Sequence, residues 1–165
     1  MIFKSLYSLV SLIGSSLAFA LIVIFAFFSF PGNVFLELIL VFIISSAAIL
    51  VLRIFFRGER RKVKSFERRL LGRGEDKSKV KRFLARIEAR SFASSHVARL
   101  SGLGTVLFFN DFALELLVLV FVLALLVGFA RVKLERHNAL DVFTGFIVGV
   151  ASGYLAGMVY EFLFL

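Results

Sequence analysis

The chain has 165 residues, no cysteine and a formal charge of +9. Hydrophobic residues make up 60% of it, Phe alone occurs 22 times, and the mean hydropathy is +0.96. Those values argue against a soluble domain and for one membrane-embedded unit over residues 1–165. The missing Cys removes disulfides, thiolate metal sites and a cysteine nucleophile.

In chain order, Leu6–Phe30 is an uncharged run of about 25 residues, enough to cross a bilayer with some tilt. Ala18-Phe19-Ala20 has the small residues of a cleavage signal, but the apolar run continues past it, so the segment reads as an uncleaved span, 6–30. Pro31-Gly32-Asn33 makes a tight turn into a second span, 34–56, with Glu37 near its start and Arg53 near its end. The loop 57–90 is strongly basic. Val63, Phe66, Leu70 and Leu71 recur in it at helical spacing, as in an amphipathic helix lying on the membrane surface. After the break at Gly72–Asp76, a second helix from about Lys77 to Arg90 gathers Lys79, Arg82, Arg86 and Arg90 on one face beside Val80, Phe83, Leu84 and Ile87. Such a face either touches anionic headgroups or forms a cradle for one phosphate.

Ser91–Phe109 is a third, shorter span carrying Arg99. The turn Asn110-Asp111 leads to a fourth, 112–130, with Glu115 near its start. A charged cluster, Arg131–Asp141, separates it from the fifth span, 140–165. The last span bears Gly145, Gly149, Gly153 and Gly157, four residues apart, a face for close helix packing within the chain or between copies of it. The expected fold is therefore an all-α polytopic transmembrane bundle with interfacial helices in its basic loop.

Five spans put the N-terminus, the basic loop and the Arg131 cluster on one side. Nineteen of the 20 Lys and Arg residues lie there or at its boundary, Arg99 lies within a span, and the other side has none. Setting aside Lys79, Arg86 and Arg131 as site candidates still leaves 16 against zero. The positive-inside rule then predicts a cytoplasmic N-terminus and site in an integral cell membrane. Basic residues aligned along a membrane boundary call for membrane lipids as partners, with no nucleic acid.

The cluster R-x5-H-x3-D needs a reason, since charge between two apolar runs is costly. If the chain is helical by His137, Asp141 lies one turn further on the same face. Its carboxylate can then fix the imidazole's tautomer, as a nucleophilic or general-base histidine needs. The other histidine, His96, falls at the same membrane boundary.

Three segments, Lys79-x6-Arg86, Ser91-Phe-Ala-Ser-Ser-His96 and Arg131-x5-His137-x3-Asp141, resemble in order the signatures K-x6-R-P, P-S-G-H and S-R-x5-H-x3-D of the type 2 phosphatidic acid phosphatase superfamily. H-N-x-x-D-V at His137 and Ser95-His96-Val-Ala-Arg99 are similar to members acting on polyisoprenoid diphosphates. The resemblance covers about residues 77–165, the expected catalytic core; the first hairpin is expected to contribute topology only. Ile87 and Ala93 stand where the family has proline, Ser95 where it has glycine (as in the P-S-S-H of dolichyl diphosphatases), and Ala130 where it often has serine. Members commonly have six spans, and many place the site outside the cytoplasm.

The resemblance implies a phosphatase acting on a lipid phosphate or isoprenoid (di)phosphate. His137 would be the nucleophile, Asp141 its orienting carboxylate and His96 the general acid and base. Lys79, Arg86, Arg131, Ser94 and the amides near Ser95 would hold the phosphoryl oxygens. Arg99 would contact a second phosphate or pair with a glutamate. No cofactor or metal is expected. A phosphotransferase using the same site and a non-enzymatic membrane scaffold are the alternatives.

Overall fold

The computed structural model describes residues 2–55, 93–134 and 137–164, with side chains from Leu6 onward. Within them lie six helices and no strand: α1 (Ile2–Ile13), α2 (Ser16–Ser29), α3 (Gly32–Phe55), α4 (Ser95–Phe109), α5 (Leu114–Lys133) and α6 (Ala139–Phe164). The all-α membrane bundle is present. Among these helices, α3, α5 and α6 are each long and apolar enough to span a bilayer. The loop 57–90, with its expected amphipathic helices, lies outside the described residues.

The first apolar run, expected as one span over 6–30, is built from two helices that are together long and apolar enough to span. Gly14 and Ser15 separate α1 from α2, and the two helices are bent by 44°. Ser15 has extended backbone and its hydroxyl accepts the Ala18 N–H at 3.1 Å, so it caps α2. Hydropathy does not register the break, because nothing in Gly14-Ser15-Ser16 is charged. Beyond it α2 packs on α3 through Phe19 stacked on Phe42, and its C-cap Phe30 stands edge-on to Phe112 ahead of α5.

The centre of the bundle is α4. Val97 to Leu107 are buried without interruption, enclosed by α3, α5 and α6. Its 15 residues reach only about 22 Å, short of a hydrocarbon core of about 30 Å. The expected third span is thus a short helix sheathed by longer ones. Its small residues, Ala98, Ser101, Gly102, Gly104 and Thr105, let the neighbours come close.

The matching surface is the glycine ridge of α6. A Cβ built on Gly145 would lie 2.6 Å from the Ser94 carbonyl oxygen, and one on Gly153 2.6 Å from Thr105 Cβ. One on Gly149 would overlap Ser101 Oγ and the Ala98 carbonyl oxygen. The Ser101 hydroxyl lies 3.0 Å from the Val97 carbonyl and 3.1 Å from the Phe146 carbonyl, so its hydrogen is shared between its own helix and α6. Gly157 meets nothing within 4 Å. Three of the four ridge glycines are therefore occupied inside the chain, which leaves Gly157 alone free for contact between copies.

At one end of the bundle Asn110 ties two helices together. Its Oδ1 accepts from Asn33 Nδ2, and its Nδ2 donates to the buried Glu37 carboxylate at 3.0 Å. Asp111, at φ 55°, then turns the chain into α5, a left-handed conformation that Asp tolerates better than most residues. This lock sets the register of α3 and α4, and with it the geometry at the opposite end.

Candidate active site

At that opposite end the C-termini of α3 and α5 meet the N-termini of α4 and α6. Ile49 packs with Ala93 and Ala98, and the Ser94 N–H donates to the Asp141 carbonyl at 2.9 Å. The second and third sequence signatures are thus joined through backbone.

Arg131 does not stand in a connecting segment, because α5 runs to Lys133, three residues beyond the expected end of the span. It occupies the last helical turn, and its carbonyl accepts the His137 N–H at 3.3 Å. The His137 side chain is 2% exposed, and its ring is held on both nitrogens. Nδ1 lies 3.4 Å from Asp141 Oδ2, and Nε2 lies 3.2 Å from Arg131 Nη2. A guanidinium only donates, so Nε2 must present its lone pair and the ring proton sits on Nδ1, facing the carboxylate.

His137 and Asp141 meet for a reason other than helical spacing. The helix begins at Ala139, two residues after His137. Asn138 is its cap: Asp141 N–H donates to Asn138 Oδ1 at 2.7 Å, and Asn138 N–H donates to Asp141 Oδ2 at 3.0 Å. This reciprocal pair is a capping box with Asp in the third position. Asp141 Oδ2 is therefore anchored by the backbone before it meets the imidazole. The run His137-Asn138-x-x-Asp141 encodes a helix start and a carboxylate–imidazole pair together.

Ser94 is fully buried at the start of α4, makes no capping bond to its own helix, and its Oγ has no hydrogen-bond partner among the described residues. A buried hydroxyl beside uncapped first-turn amides is a ready site for an anionic oxygen. Ser95 and His96, both half-buried, are the first two residues of α4. Arg99, 7% exposed, is turned elsewhere: its guanidinium lies 4.9 Å from the Phe42 ring centroid. The alternative pairing with a glutamate is not seen among the described residues. Lys79 and Arg86, with Arg82 and Arg90, lie outside the described residues. Among the described residues no three His, Asp or Glu side chains gather as a metal site would require.

The first hairpin contributes more than topology. Ser11 of α1, 4% exposed, accepts from Arg131 Nη1 at 3.2 Å. Gly14 lies against His96, so closely that a Cβ there would stand 2.7 Å from His96 Cβ. Neither residue belongs to a signature. The available signal was a Ser and a Gly three residues apart among the small residues Ser8, Ser11, Gly14, Ser15 and Ser16 of the run, which hydropathy alone does not single out.

A helical membrane bundle in which half-buried Arg131 meets buried His137 and Asp141, where four helix ends converge, defines an integral-membrane protein. A model of the PAP2 superfamily matches residues 35–163, and the chain belongs to that superfamily. Its members are generally phosphatases, so a phosphoric ester hydrolase is the class of enzyme that this membership supports. The match starts within α3, leaving α1 and α2 outside it. No curated protein and no solved structure matches the chain.

Proposed function

We propose that the chain hydrolyses a lipid phosphate or isoprenoid (di)phosphate through a phosphohistidine at His137. The observation that carries this reading is the double restraint on that ring, with Nε2 3.2 Å from the Arg131 guanidinium and Nδ1 3.4 Å from a backbone-anchored carboxylate. A lipid substrate is supported by the surroundings. Leu140 and Phe143, flanking Asp141, are 73% and 62% exposed, so the site sits beside surface that acyl chains would cover.

At 3.2 Å, Arg131 and His137 leave no room for phosphorus between them. Substrate binding therefore transfers Nη2 from the imidazole to a phosphoryl oxygen, which frees the lone pair for in-line attack from about 3–3.5 Å. The N–P bond forms at Nε2 as the bond to the lipid oxygen breaks. His96 gives that leaving oxygen a proton, and Asp141 stabilises the ring's positive charge. Water, losing its proton to His96, then attacks phosphorus, and the N–P bond breaks to release inorganic phosphate. For a diphosphate the leaving group is the lipid monophosphate. Arg131, Ser94 and the Ser95 amide, with Lys79 and Arg86, hold the equatorial oxygens. Arg99 reaches a second phosphate only by leaving Phe42.

We put the site at the cytoplasmic boundary, as the distribution of Lys and Arg supports. Phosphate release from phosphatidic acid and from a prenyl diphosphate in detergent tests the activity. Wild type should turn over at least one of them, and His137→Ala should abolish it. Equal release by both proteins would sink the histidine mechanism.

A further inference from the structure

We propose that α1 is part of the active site, with Ser11 a positioning residue for Arg131 and Gly14 setting the height of α1 over His96. The proposal rests on the phosphatase reading and adds a component outside the segment that the family match covers.

Ser11 is buried on a helix whose outward residues, Leu9 and Leu12, are 64% and 59% exposed. A serine hydroxyl buried on an apolar helix is unfavourable unless bonded, and its bond here goes to the guanidinium of Arg131, 120 residues away in sequence. Arg131 is thereby held at two points of its planar fork, Nη1 by Ser11 and Nη2 by His137. When a phosphoryl oxygen takes Nη2, the Ser11 bond remains, so the guanidinium pivots about a fixed point instead of sampling its full rotamer freedom.

The helix carrying Ser11 is itself well seated. Val10 packs against Val97, Leu100, Ala124 and Val127. Tyr7 meets Phe129 edge-on at 6.1 Å. Gly14 ends the helix directly on His96, where no side chain fits. One short segment thus touches both an anion-binding cation and the histidine assigned to proton transfer.

The test uses the purified full-length chain in detergent, with two readouts: kcat/KM for phosphate release, and the Kd of orthovanadate, a phosphoryl mimic, from thermal protection. Ser11→Ala should lower kcat/KM and weaken vanadate binding by about tenfold or more, the loss expected for one hydrogen bond to a charged group, without a matching fall in Tm. Ser11→Thr, which keeps the hydroxyl, should recover most of both. Gly14→Val should lose activity by displacing α1 from His96. Ser152→Ala, at a buried serine that bonds only its own helix, should match wild type. Wild-type kcat/KM and vanadate Kd in Ser11→Ala would overturn the proposal, as would an equal loss in Ser152→Ala. Equal phosphate release by wild type and His137→Ala would instead sink the phosphatase reading, and the vanadate readout would still decide Ser11. A wild type that neither turns over substrate nor binds vanadate would overturn both.

Discussion

The α4–α6 contact carries both halves of the proposed site, His96 on one helix and Asp141 on the other, so its tightness can be tested at one atom. Gly149→Ala adds a methyl that would overlap Ser101 Oγ and the Ala98 carbonyl oxygen. The serine can rotate, but the carbonyl belongs to a buried helix and moves only with it. The two helices must therefore separate by roughly 1 Å, a gap that forfeits a quarter to a half of each dispersion contact along the seam. Overpacking of this kind costs about 1–3 kcal/mol. Stretching the Ser101 hydrogen bond to the Phe146 carbonyl, 3.1 Å long, adds about 1 kcal/mol. A total of roughly 3 kcal/mol predicts a Tm lowered by roughly 5–10 °C, with activity falling in parallel. Gly157→Ala on the same ridge meets nothing within 4 Å and should be neutral or slightly stabilising, through alanine's higher helix propensity. Thermal unfolding of the two variants in one detergent, followed by intrinsic fluorescence or circular dichroism, makes the comparison. If Gly149→Ala melts with Gly157→Ala, the ridge is not the close contact described.

Three further perturbations separate charge, shape and orientation. Asp141→Asn keeps an oxygen for the Asn138 N–H, so stability should change by no more than about 1 kcal/mol. Without the negative charge beside Nδ1, kcat should fall by about 10²-fold or more, and stopped-assay kinetics beside a melting curve would show the split. Arg131→Lys preserves the charge but cannot reach Ser11 and His137 together, so kcat/KM should drop by roughly 10–100-fold; near wild-type values would show that the fork is dispensable. The chain has no cysteine, so Lys133→Cys and Asp111→Cys report membrane sidedness without background. An impermeant thiol reagent added outside intact cells should label the cysteine at 111 and spare the one at 133; the reverse would put the site outside the cytoplasm.

What could be read from the sequence was whatever carries a cost or a period. Charges between apolar runs are expensive, so Arg131, His137 and Asp141 stood out before any fold was known. The four-residue glycine repeat marks one face of a helix and announced close packing on α6. Other features left a weaker trace. Helical spacing predicted the right partner for His137 by the wrong route, because a capping box and a helix start look alike when only a four-residue separation is considered. The helix α5 runs three residues past the expected span end at 130, because cations are favourable in a helix's last turn. The break at Gly14-Ser15 and the Ser11–Arg131 bond were out of reach. Both depend on which distant residues face α1, and hydropathy treats a small polar residue in an apolar run as part of the span. Glu37 was visible as an intramembrane carboxylate, but its partner Asn110 is 73 residues away and sits in a turn.

The central claim is a covalent bond between phosphorus and His137 Nε2. Rapid quenching of the enzyme with a lipid phosphate labelled on its terminal phosphoryl group, followed by peptide mapping, measures it directly. Wild type should carry an acid-labile, alkali-stable label on the peptide containing His137, and His137→Ala should carry none. Wild-type turnover with no label on that peptide, or label retained in His137→Ala, would contradict it.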